Sequence, residues 1–208
     1  IMTEWNTEEL AKADKRFICE HEDVVPDIIV LGKGLTGGYL PLAITLVSEK
    51  IFWAFDGPVA KGKALAYGHS YTGNALGCAA ARASLEVFEN ERALEALQPK
   101  IRCLASALAS LKDLAGVEEI RQCGFIAGIE LQNSTQIEGI SMAAAVCLEA
   151  RQHGLLTRPI HNVIVLMPPL CITTAQLTFA VDALRVSITN VWRHADLSKS
   201  KNAEKITA

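Results

Sequence analysis

Apolar residues fall along this chain in two rhythms. Ile28 to Leu31 is an unbroken apolar run, the pattern of a strand buried on both faces. Leu40 to Val47 reads as a second strand, and Ser48 is placed to cap a helix from Glu49 to about Phe55, stopped at Asp56-Gly-Pro. From Gly73 to Glu89 the chain is rich in alanine and free of breakers, which favours helix. Leu94, Leu97, Ile101, Leu104, Leu108 and Leu111 then recur in steps of three and four, one apolar stripe of a packed helix, with a kink or break expected near Leu97 because Pro99 falls within it. Val117–Arg121 and Phe125–Leu131 read as strands, 141–153 as a helix ended by Gly154, and Leu155–Arg158 and Val163–Leu166 as short strands. Thr173 and Gln176 have capping-box spacing ahead of a last amphipathic helix through Leu177, Val181, Leu184, Ile188 and Val191. The tail from His194 is polar and expected to fray, and Thr7 is expected to cap a short helix from Glu8.

The first apolar run ends in Gly32-Lys33-Gly34, and a second glycine pair follows at Gly37-Gly38. A strand that delivers a lone lysine into a glycine-lined turn has two readings. One is a lysine facing solvent. The other is a rigidly held amine that attacks carbonyls and moves protons. Local pattern leaves both open. Gly68-His-Ser-Tyr-Thr-Gly-Asn74 precedes a helix, where backbone N–H groups favour an anion and Ser70 and Thr72 add hydroxyls. Capping by Thr72 or Asn74 is the simpler account of the same residues. Arg158, before Pro159, carries a planar fork suited to a carboxylate, or to a surface ion pair. Glu130 and Arg121 lie near the sheet without a distinct role, and His69, His153 and His161 read as turn or surface residues.

Bulk composition narrows the class. The chain has 208 residues and a net charge of -3 with both signs interspersed, which argues against nucleic acid or an anionic membrane as the main partner. No run is long enough to span a bilayer, and no signal peptide opens the chain. Six scattered cysteines, with no metal-type spacing, read as reduced core thiols of a cytoplasmic protein.

The stretch Val25 to Ala43, the motif Gly68 to Asn74, Gly124-Phe-Ile-Ala-Gly-Ile-Glu130, and Arg158-Pro with Val165-Leu-Met-Pro-Pro169 occur together in the order found in class III pyridoxal-phosphate aminotransferases. Residues 17–193 resemble the C-terminal part of that family. The resemblance implies an α/β fold of the fold-type I, aspartate aminotransferase-like kind. Residues 17–92 would be a remnant of the truncated large cofactor domain, 93–193 a C-terminal α+β small domain, 1–16 a non-matching segment and 194–208 a polar tail. It implies pyridoxal 5'-phosphate as cofactor and a homodimer as the working form. Lys33 would hold the cofactor as a Schiff base and shuttle protons. Ser70, with His69 and Thr72, would contact the phosphate across a dimer interface. Arg158, with Gly68, would bind the substrate and its carboxylate.

The members most similar in these motifs transfer an amino group to 8-amino-7-oxononanoate in biotin biosynthesis, with adenosylmethionine and lysine both open as donors. Class III enzymes acting on ω-amino acids or diamines are the alternative. In the family an acid against the pyridine nitrogen, a ring stacked on the cofactor and a phosphate cup lie upstream of residue 17, and none is recognisable in residues 2–16. A non-catalytic fragment, or one half of a split enzyme needing an N-terminal half, is therefore the competing reading.

Overall fold

The computed structural model describes residues 2–6, 18–21, 23–132, 136–137 and 139–206. The chain forms two compact units, Ile1–Ala96 and Leu97–Ala208.

In the first unit, β1 (Met2–Asn6) and β2 (Ile28–Gly32) pair in parallel, and β3 (Ile44–Val47) pairs antiparallel with β2, giving the order β1-β2-β3. The strand at Met2–Asn6 is new. Its alternation is too weak to announce a strand, and parallel pairing with a segment some twenty residues on leaves no local mark. The helix expected from Glu8 lies outside the described residues.

β3 begins at Ile44, four residues later than the apolar run implied. Thr36 accounts for the delay. It is 1% exposed, its hydroxyl donates to the Leu40 carbonyl at 2.5 Å, and the Leu40 N–H donates back to it at 3.3 Å. Those bonds take the backbone groups a longer strand would have used, and Pro41 offers no N–H. Helix α1 (Glu49–Phe55) follows, with Ser48 at its N-cap position but making no capping bond; the Ser48 hydroxyl is buried without a partner among the described residues. Helix α2 (Ala75–Asn90) is capped by Asn74, whose Oδ1 accepts from the Gly77 N–H at 3.0 Å.

The core of this unit is small: Leu31, Leu35 and Ala81, with Ile29, Leu42 and Ile44 packed against them. α1 buries no residue, and Phe52, Trp53 and Phe55 are exposed.

The second unit is built differently. Helix α3 (Ala93–Ala109) runs through Pro99 without a break, and the boundary between units falls within it. The strands β4 (Val117–Cys123), β5 (Ile126–Leu131), β8 (Arg158–Ile160) and β9 (Val163–Leu166) form an antiparallel sheet in the order β4-β5-β9-β8. Between them lie a two-residue hairpin, β6 (Gln136–Ile137) and β7 (Ile140–Ser141), and helix α4 (Met142–Gln152), capped by Ser141.

Helix α5 (Thr174–Ile206) continues well past the expected end near Val191. Its start is the capping box: the Thr173 N–H donates to Gln176 Oε1 at 2.9 Å, and the Gln176 N–H to Thr173 Oγ1 at 3.2 Å.

One face of the sheet, Ala127, Ile129, Leu131, Ile164 and Leu166, packs with Phe125 against the apolar stripes of α3, α4 and α5. Each fully buried large side chain there contributes about 2 kcal/mol. The leucine stripe of α3 is core, with Leu97, Leu104 and Leu108 buried.

All six cysteines are free thiols, but only Cys147 is a core thiol. Cys78, Cys123 and Cys171 are exposed, because each lies on the outer side of its helix, strand or turn. Burial pushes the Cys147 pKa up to about 11. No described helix is long and apolar enough to cross a membrane.

Gly116 enters β4 at φ +89°, and a Cβ there would lie 2.1 Å from Trp192 Cε3. Gly116→Ala is expected to cost about 3 kcal/mol, from a left-handed backbone and a direct clash together. In a Trp192→Ala background only the backbone part should remain, about 1 kcal/mol. Urea unfolding of the four species measures this, and equal costs in both backgrounds would refute the clash.

Candidate functional site

β2 ends at Gly32, and Lys33–Thr36 form one turn of 3-10 helix. Lys33 has φ +50°, in the left-handed region where a side chain is disfavoured by about 1 kcal/mol. Glycines stand on both sides of it, so the sequence had the residue that suits this backbone close at hand and carries a lysine instead. An off-minimum residue persists where its surroundings determine it, and here they do. Leu35 is 4% exposed and Thr36 1%, so the turn is anchored just behind the lysine. The Gly37 N–H closes it on the Gly34 carbonyl at 2.8 Å, with Gly37 at φ +62°. α2 backs the same turn: a Cβ on Gly37 would lie 3.8 Å from Ser84 Oγ.

The Lys33 side chain is exposed, and among the described residues it has no hydrogen-bond or ion-pair partner. What is costly about Lys33 is therefore its backbone, and not burial of its amine.

Residues 68–74 form a tight exposed turn ahead of α2. The His69 N–H donates to Thr72 Oγ1 at 3.0 Å, and the Thr72 N–H to the His69 carbonyl at 2.9 Å. The Tyr71 N–H donates to His69 Nδ1 at 3.1 Å, so a neutral His69 carries its proton on Nε2. Thr72 and His69 thus brace the turn, and Asn74, not Thr72, caps the helix. Ser70 Oγ has no partner among the described residues, which leaves it able to donate to an anion at the positive end of α2. Gly68 lies at the mouth of this turn, and a Cβ there would meet only Thr72 Oγ1, at 3.9 Å.

In the second unit, Arg158 opens β8, where the sequence pattern had placed it at the close of a strand; Pro159 is accommodated because β8 is the sheet's edge. Register puts Arg121, Gly128, Val165 and Arg158 in one row across the uncovered face. The two arginines differ. Arg121 is gripped by Glu119 and Glu130, and the Glu130–Asn162 bond at 3.1 Å extends that network. Arg158 is exposed and has no partner among the described residues. Of the two, Arg158 is the guanidinium open to a ligand.

Arg121, then Asn162, holds the Glu130 carboxyl below its ordinary value, and Glu130 with Glu119 raises the already high Arg121. His161 sits exposed in the β8–β9 turn at φ +54°, and His153 pairs with Glu149 at 3.2 Å.

One position the sequence pattern did not single out is Glu4, which lies on β1 in register with Val30 of the lysine-bearing strand. Only the pairing of β1 with β2 brings it to notice; nothing in residues 2–6 alone does. No cluster of three or more metal-ligating side chains occurs among the described residues.

The model of the aminotransferase class-III family matches residues 10–188. The adenosylmethionine-8-amino-7-oxononanoate aminotransferase of Nitratidesulfovibrio vulgaris is 48% identical over 188 residues, covering 88% of this chain and 35% of the relative. The enzyme of that name from Geobacter sulfurreducens is 44% identical, covering 84% and 40%. The crystal structure of the Methanocaldococcus jannaschii enzyme of the same name superposes with a TM-score of 0.80 at 42% identity, over 87% of this chain and 43% of that one. The chain thus spans less than half the length of these relatives.

Two measurements probe the geometry. Lys33→Gly should be as stable as the parent or up to about 1 kcal/mol more stable, whereas Lys33→Ala should gain nothing. Equal stabilities of the Gly and Ala variants in urea would contradict the left-handed backbone. In a carboxyl-resonance titration, Glu130 should titrate below the ordinary carboxylate range of about 4.3 and move up toward it in Arg121→Gln. Its folded pKa is depressed, so the stability it confers is present above that range and lost as pH falls through the folded value. A midpoint indifferent to Arg121 would remove the ion pair.

Proposed function

The chain belongs to the class-III aminotransferase family, and from that premise we propose that it supplies the lysine-bearing part of an enzyme that transfers an amino group to 8-amino-7-oxononanoate. The observation that carries this reading is Lys33: an amine with no partner among the described residues, on a turn anchored by buried residues, in a backbone that a side chain would ordinarily avoid. The family-level alternative, a transaminase of ω-amino acids or diamines, shares the same lysine but has no support comparable to the 48% identity with a relative named for the biotin intermediate.

The donor set suits pyridoxal 5'-phosphate, which needs an amine for its aldehyde and hydroxyl or amide donors for its phosphate. When bound, that cofactor supplies the carbonyl and the electron-withdrawing ring that let an amino group leave one carbon and join another. Lys33 Nζ would hold the cofactor through its aldehyde, and the same amine would take and return the proton at the carbon bearing the amino group. Ser70 Oγ would donate to a phosphate oxygen of the cofactor across the dimer interface, and His69 and Thr72 hold the turn that presents it. Gly68 keeps the approach to that turn clear for substrate. Arg158 pairs with the substrate carboxylate.

We propose further that activity requires the remainder of the enzyme, as part of a longer chain or as a complementing polypeptide, with a homodimer as the assembled form. The modest core of the first unit and the exposed Phe52, Trp53 and Phe55 support that reading.

Cofactor capture tests it. The full chain is mixed with pyridoxal phosphate, reduced with borohydride, and mapped by peptide mass. Selective labelling of Lys33, with a visible absorption band, is expected. Labelling scattered over surface lysines would overturn the assignment of Lys33. Once complementation restores turnover, comparing adenosylmethionine with lysine as donor settles which is used.

A further inference from the structure

β8 is a short strand asked to hold an important side chain. It has three residues, lies at the sheet's edge, and has a proline at its centre. Such a strand frays unless its ends are tied. The turn end is tied heavily. Asn162 Nδ2 donates to the Leu131 carbonyl at 3.0 Å and to Glu130 Oε1 at 3.1 Å, and the Leu131 N–H donates to the Asn162 carbonyl at 2.9 Å. Ser141 Oγ adds a bond to the His161 carbonyl at 3.4 Å.

Arg158 lies at the other end. The approach to it, residues 155–157, has no regular structure, and Leu156 is exposed. There the tie is a side chain: the Thr157 hydroxyl donates to the Val165 carbonyl at 2.5 Å. Val165 is the residue paired with Arg158 in the ladder. The bond therefore fixes the backbone at the point where the guanidinium branches off.

We infer that Thr157 is a positioning residue for Arg158, closing the open end of the β8–β9 hairpin so that the guanidinium is presented in one place to a carboxylate. This rests on the reading of Arg158 as the carboxylate-binding residue. Thr157 touches no substrate. It lowers the number of backbone states from which a long, exposed side chain must find its partner, and binding is weakened when that ordering has to be supplied at the moment of association.

The test uses the full chain and a probe with the carboxylate and chain length of the expected acceptor, nonanoate, with nonan-1-ol as the neutral control. Binding is read from the Arg158 Nε–Hε resonance. Nonanoate, but not nonan-1-ol, should shift that resonance and the backbone amide resonance of Val165 beside it, and in Arg158→Gln the Val165 shift should be lost. Thr157→Val keeps the shape and removes the hydroxyl, and should weaken binding about fivefold, the scale of one neutral hydrogen bond. Thr157→Ser restores the hydroxyl and should return binding to within about twofold of the parent, and the melting profile should be alike in all three.

Undiminished binding by Thr157→Val, or binding by Thr157→Ser as weak as that of Thr157→Val, would overturn the role of Thr157 while leaving Arg158 in place. No nonanoate-dependent shift at Arg158 in the parent chain would overturn the reading of Arg158, and this inference with it.

Discussion

The amine chemistry proposed for this chain depends on how one turn is held. β2 runs into Lys33, and the backbone must reverse its local handedness there while presenting an amine outward. Leu35 and Thr36, both buried, absorb that cost by locking the next two residues into the small core. Thr36 does a second job, since its hydroxyl spans to Leu40 and sets where β3 can begin. Loosening that contact would free Lys33 to relax, and an amine that wanders by an ångström is a far poorer catalyst than one held in reach of a single carbon.

The two units solve the same problem with very different means. The second has a deep apolar core into which Phe125, Leu104, Leu111, Leu177 and Leu184 are fully sunk. On it rests an exposed sheet face where charge is sorted by partner: Arg121 is committed to Glu119 and Glu130, and Arg158 is left open. The sorting follows from register, because Glu119 and Glu130 sit opposite one another on β4 and β5, within reach of Arg121, while Arg158 lies three strands from the first and two from the second.

Much of this was legible in the residues. Gly32, Lys33, Gly34 and Gly37 announce the turn, and the leucines of α3 announce their core face by spacing alone. The Thr173–Gln176 capping box was readable for the same reason: it is a local device with a fixed interval. What could not be read was nonlocal. Met2–Asn6 becomes a strand only because Ile28–Gly32 lies beside it. Apolar content from Leu40 suggested a longer β3, since a threonine four residues earlier competes for the backbone in a way periodicity does not encode. Cys78, Cys123 and Cys171 sit among small and apolar neighbours in sequence yet lie at the surface, because the side of an element that faces outward is settled by tertiary packing.

The uneven cores have a consequence for how the molecule comes apart. Among the described residues, Leu31, Leu35, Thr36 and Ala81 with a handful of partners hold the first unit, while a continuous cluster drawn from three helices and a sheet holds the second. The two have no reason to melt together, so unfolding of the isolated chain is not an all-or-none event. A calorimetric peak would then describe the leucine-rich half. The lysine turn would already have been lost at a lower temperature, and the assayable lifetime of the site would be shorter than any midpoint temperature suggests.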